Sequence, residues 1–194
     1  MKTTKVRQLT VSALLIAMGI LIPMVMPKIV IGPASFTLAS HVPLMIAMFF
    51  SPGMAVAVAI GTAFGFLMTT PFIIAMRALS HLVFAVLGAV YLKKHPEIVL
   101  HKGAFQVYNL VIALIHTLIE IAVVWLFFAT GNAAGTTVDG NFYVFLFGLM
   151  GVGGVIHSFV DYNLALLVVT TISKGVAIPV FQKAQLKQPT TYHD

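Results

Sequence analysis

Three segments of this sequence pair a histidine with a charged residue four positions away: Arg77 with His81 in "MRALSH", His116 with Glu120 in "HTLIE", and His157 with Asp161 in "HSFVD". On a helix, that spacing puts both members of a pair on one face. A guanidinium, two carboxylates and several imidazoles turned toward one another can bind an anion or relay protons. Each pair interrupts a long apolar stretch. An ionisable side chain facing hydrocarbon costs roughly 2.5–3.5 kcal/mol on insertion scales, so these residues are expected to face one another or a polar cavity.

The elements that must position them belong to a membrane protein. Of 194 residues, 60% are hydrophobic and 8% are charged, and the mean hydropathy is +1.04. Such values lie outside the soluble range. No polar segment is long enough to fold as a soluble module, so residues 1–194 are read as one all-α transmembrane domain. The formal net charge of +6 marks topology and not a nucleic-acid surface, because the basic residues sit at the ends of apolar runs. Cysteine is absent, which excludes disulfides and thiolate chemistry. The first apolar run, after "MKTTKVRQ", has no small-residue cleavage site and is read as a retained span.

Breaks at proline, glycine and polar clusters divide the apolar sequence into six expected helices: Leu9 to Met26, Leu38 to Phe50, Met54 to Met68, Phe72 to Leu92, Phe105 to Phe128 and Leu149 to Ile178. Nine of the eleven basic residues fall in three short segments: Lys2, Lys5 and Arg7; Lys93, Lys94 and Lys102; Lys174, Lys183 and Lys187. The positive-inside rule puts all three on the cytoplasmic side. That requires a hairpin at Ser51 to Gly53, a single final span and both termini inside. The outer connections are then Pro27 to Thr37, Thr69 to Pro71 and Thr130 to Gly148. The first is too apolar for a wet loop and too broken for a span, so it is expected to pack over the mouth of the bundle. "TGNAAGTTVDGN" reads as a flexible polar loop.

Counted from the nearer outer end, Arg77, Glu120 and Asp161 lie in the outer half or near the middle of their spans, with His41 at the start of the second. They are expected to line an outward-facing pocket with His81, His116 and His157. Phe36, Trp125 and Tyr162 supply candidate aromatic walls, and Asn163 is a further polar candidate. The small-residue spacings of Ala13 with Ala17 and Gly61 with Gly65 permit close helix approach. No phosphate loop, HExxH or GxSxG motif occurs, so neither ATP hydrolysis nor a familiar hydrolase mechanism is visible. The His-x3-Glu and His-x3-Asp pairs offer metal donors, but a third histidine at fixed spacing is missing, and no metal or other cofactor is expected.

The first-helix "ALLIA", the outer "GPASFTLASHVPLMIAMFFSPG", the Arg-bearing "PFIIAMRALSHLVFAVLGAVYLKK" and the closing "GVIHSFVDYNLALLV" occur here in an order and topology that resembles the substrate-binding S components of energy-coupling factor (ECF) vitamin transporters. The likeness covers nearly the whole chain, and "ASFTLASHVP" is most similar to the niacin-specific branch. The resemblance implies a non-enzymatic, multi-pass protein of the cell membrane. It would capture a small water-soluble vitamin near the outer face and work with a transmembrane coupling protein and two cytosolic ATPases. It also implies that Ala13 and Ala17, matching the family's AxxxA motif, meet the coupling protein. Arg77 with His41 suits a small planar carboxylate such as nicotinate. Pantothenate and biotin, also carboxylates, stay as alternatives. A stand-alone proton-coupled transporter using Glu120, Asp161 and the histidines as a relay is a further reading.

Overall fold

The structure, a computed structural model, describes residues 5–31, 34–132, 138 and 140–186. Lys2, Lys187 and much of the "TGNAAGTTVDGN" segment lie outside the described residues. Among the described residues, five helices are long and apolar enough to cross a membrane. They are α1 (Lys5–Val25), α3 (Pro52–Thr69), α4 (Phe72–Lys94), α5 (Lys102–Ala129) and the continuous helix Val144–Ile172. The last begins as a π-helix over Val144–Val152 and continues as α6 (Gly153–Ile172).

The expected second span is shorter in the structure than its sequence range. Instead of a span over Leu38 to Phe50, α2 runs only Val42–Phe50. Nine residues rise roughly 13 Å, well short of a hydrocarbon core of about 30 Å. All nine are buried. A helix that is apolar all round belongs inside a bundle, and α2 packs on α1, α3, α4 and α6. The expected hairpin after it is present. Ser51 ends α2 in extended conformation, and its Oγ accepts the Met54 N–H at 3.1 Å to cap α3, with Pro52 opening the new helix.

The final span also differs from the expected Leu149 to Ile178. It starts five residues earlier and stops at Ile172, because a turn at Ser173–Gly175 ends the helix. A short helix, α7 (Pro179–Leu186), then folds back and buries Val180, Phe181 and Ala184. The apolar stretch after α1 is an antiparallel hairpin, β1 (Lys28–Ile31) with β2 (Ala34–Thr37), the one departure from helix among the described elements. Phe36 from β2 packs on a small cluster of Ile73, Val124, Leu146 and Met150, so the hairpin covers one end of the bundle. The larger core is built around Phe49, Phe84, Phe105, Tyr108 and Tyr162.

The small-residue motifs take opposite roles. Gly61 and Gly65 face α1, where a β-carbon at Gly61 would stand 2.6 Å from Ile16 Cδ1 and one at Gly65 would collide with Ile20. Ala13 and Ala17 are exposed, on the face of α1 opposite buried Leu15 and Gly19. Gly61→Leu is therefore expected to cost about 1–3 kcal/mol by overpacking the α1–α3 contact. Ala17→Leu should leave stability unchanged, and melting temperatures of both variants in detergent check the contrast.

Candidate functional site

The three sequence pairs converge. On α4 and α5, Arg77 Nη2 donates to both carboxylate oxygens of Glu120 at 3.1 Å, and His81 Nε2 lies 3.0 Å from Glu120 Oε1. One turn before Glu120, His116 Nε2 stands 3.7 Å from the same Oε1. Neither ring nitrogen of His116 makes a hydrogen bond, although the side chain is 1% exposed. Burial of this kind is tolerable only because the charges are paired and bonded; removing one member would leave the other in hydrocarbon.

On α6, Asp161 is fully buried and grips the turn between β2 and α2. Its Oδ1 accepts the Ala39 N–H at 2.8 Å, and its Oδ2 accepts the His41 N–H at 3.0 Å. Oδ2 also lies 3.2 Å from His41 Nδ1 and 3.6 Å from His157 Nε2. Ala39 sits at φ 67°. The left-handed region is costly for a residue with a β-carbon, by roughly 1–2 kcal/mol, and the two backbone bonds to Asp161 offset it. The result fixes His41 where its ring meets three others, with centroids 4.8 Å from His81, 4.6 Å from His116 and 5.0 Å from His157.

These groups border a cavity of about 80 Å3. Arg77, His81, Glu120, His41, His157 and Phe36 all line it. Asp161 and His116 stand one layer behind, acting through His41 and Glu120. Three candidates are not brought to the cavity. Trp125 is half exposed on the outside of α5. Tyr162 is buried in the lower core, its hydroxyl 2.7 Å from that of Tyr108. Asn163 pairs with Gln106 across α5 and α6 at 2.7 Å. Tyr162 and Asn163 adjoin Asp161 in sequence, but each residue advances a helix by about 100°, so neighbours of an inward residue point elsewhere.

Several lining residues escape a search for ionisable groups. Ser40 Oγ bridges His41 Nδ1 at 3.3 Å and His157 Nε2 at 3.2 Å. Its signal was adjacency to His41 in "LASH". Thr37, Thr62 and Gly19 line the cavity from β2, α3 and α1. Nothing in their spacing distinguishes them from packing residues.

Membrane-length helices around a small cavity, apolar over most of its wall and charged at Arg77 and Glu120, define a multi-pass membrane protein with a site for a small molecule. Over 186 residues, 95% of this chain and 82% of the relative, the sequence is 47% identical to the niacin transporter NiaX of Lactococcus lactis subsp. cremoris (strain MG1363). The chain belongs to that transporter's family, the S components of ECF vitamin transporters. No protein-family model matches the chain, and no solved structure does.

Asp161→Ala is expected to release the turn before α2, costing about 1–3 kcal/mol through the N–H groups left without an acceptor. Asp161→Asn, which keeps an acceptor oxygen, should lose less. Thermal melts and amide hydrogen exchange at Ala39 and His41 measure both.

Proposed function

We propose that the protein is the nicotinate-capturing S component of an ECF importer in the cell membrane. The observation that carries this reading is a small cavity walled by Arg77 and a histidine cluster, in a chain nearly half identical to a niacin transporter. Nicotinate is a planar ring with one carboxylate. Arg77 provides a fixed positive charge and the histidines provide hydrogen-bond partners. Phe36, edge-on to His157 at a centroid distance of 5.8 Å, gives the ring an aromatic neighbour.

Orientation follows from the distribution of charge. Lys5, Arg7, Lys93, Lys94 and Lys102 lie at one end of the helices, where Lys93 and Lys183 also border a common groove with Gln8 and Pro52. The cavity lies at the other end, lined by the C-terminal parts of α1 and α3 and the N-terminal parts of α2 and α4. With the basic end cytoplasmic, the cavity opens outward beneath the β1–β2 hairpin and both termini are inside. The exposed Ala13 and Ala17 then present a smooth face of α1 to a transmembrane coupling protein, which two cytosolic ATPases would drive. The sequence carries no phosphate loop of its own, in keeping with energy supplied by other chains.

Two measurements test this. Binding of radiolabelled nicotinate to purified Arg77→Ala should weaken by at least about 30-fold, the lower end for losing a buried charge partner. Unchanged affinity in a folded variant would remove the carboxylate clamp. Ala13→Leu with Ala17→Leu should keep nicotinate binding and stop uptake in vesicles that also contain the coupling protein and ATPases. Uptake by the protein alone, driven by a proton gradient, would instead favour the relay reading.

A further inference from the structure

The site has a charge deficit for its proposed ligand. Leaving the imidazoles aside, Arg77 contributes +1 and Glu120 and Asp161 each contribute −1, a formal total of −1 in a buried cluster. A carboxylate entering there meets one guanidinium already engaged by Glu120. Added positive charge would favour an anion there, and the imidazoles are grouped where it can be held.

His41, His81 and His116 come from the turn before α2, from α4 and from α5, yet their ring centroids form a nearly equilateral triangle with sides of 4.8, 4.6 and 4.8 Å. Glu120 completes the group: one ligand atom from each of the four residues lies within 4.8 Å of the others. The third histidine that sequence spacing lacked is thus supplied by the fold. Tetrahedral zinc with bonds of 2.0–2.1 Å needs ligand atoms about 3.3 Å apart. The pairs His81–Glu120 at 3.0 Å and His116–Glu120 at 3.7 Å bracket that separation.

Two further features fit a metal better than packing. A fully packed imidazole would be expected to satisfy its nitrogens, since a buried unsatisfied polar group is costly, but neither nitrogen of His116 has a hydrogen-bond partner. Ligating histidines characteristically pass their other ring N–H to a carboxylate, which orients the ring. Here His41 Nδ1 lies against Asp161 Oδ2 at 3.2 Å, while Arg77 orients Glu120.

We propose that His41, His81, His116 and Glu120 bind one divalent transition-metal ion of the zinc type at the wall of the cavity, and that this ion turns the cluster into an anion site. Three nitrogens and one carboxylate are a donor set for zinc. A bound dication changes the formal total from −1 to +1. Zinc can expand to five-coordinate, so the ligand's carboxylate or ring nitrogen has a position to occupy. The role in anion capture rests on the nicotinate reading; the metal site itself does not.

The test uses untagged full-length protein in detergent, so that no polyhistidine segment supplies metal. Elemental analysis should find about one zinc per chain. His116→Ala and Glu120→Gln should each lower that content at least tenfold, and Asp161→Asn should weaken Zn2+ binding roughly 10–100-fold while sparing the ligands. Because the variants can fail to fold, chelator-treated wild type is melted with and without added Zn2+, and a clear rise in melting temperature is expected. Nicotinate affinity should fall more than tenfold on metal removal. Absence of zinc together with no Zn2+-induced rise overturns the metal site. Equal nicotinate affinity with and without metal overturns its role in capture and leaves the vitamin reading intact. Bound zinc with no nicotinate binding in either form upholds the metal site and removes the vitamin reading.

Discussion

The grip of the Asp161 carboxylate on the turn at Ala39 and His41 is the contact on which the rest of the site depends. Through its bonds to two backbone N–H groups and one imidazole, a single carboxylate on α6 decides where the β1–β2 hairpin ends and where α2 begins. It stabilises a left-handed alanine that would otherwise be strained. It also holds His41 against rings from α4, α5 and α6. Without that anchor, the turn that places His41 would lose the acceptor for two of its N–H groups.

A second centre, Arg77 with Glu120, joins α4 to α5, and His41 lies between the two centres. Each charge would be expensive in hydrocarbon if it stood alone, yet Arg77 is paired with Glu120, and Asp161 is held by His41 and two backbone N–H groups. That interdependence explains why the polar residues collect at one end of the bundle. The other end is filled by aromatic packing, with Phe49 stacked on Phe105 and Phe181 and edge-on to Tyr162. One end is apolar and closely packed, the other charged and hydrogen-bonded. A binding protein needs both, since a ligand site held in place loses less free energy to ordering when the ligand arrives.

Much of this was legible in the sequence. The i, i+4 spacing put Arg77 with His81, His116 with Glu120 and His157 with Asp161 on shared faces, and their apolar surroundings argued that those faces meet. The Gly61 and Gly65 spacing marked a close helix contact, which α1 fills. What was not legible depended on long-range packing. The apolar run from Leu38 to Phe50 has a span's hydropathy, and nothing in it shows that only Val42–Phe50 is helical and buried on all sides. Tyr162 and Asn163 were adjacent to the right residue but rotated away from it. Ser40 gave no signal beyond adjacency because its bridging role exists only once His41 and His157 are brought together.

The most direct measurement is paired calorimetric titration of one preparation of the purified protein with nicotinate and nicotinamide, which share a ring and differ in carboxylate against carboxamide. Tight nicotinate binding, with nicotinamide weaker by more than about tenfold, is the result expected if a charge-assisted contact holds the ligand. Equal affinity for the two, or binding of neither, would contradict a cavity built to capture a small carboxylate.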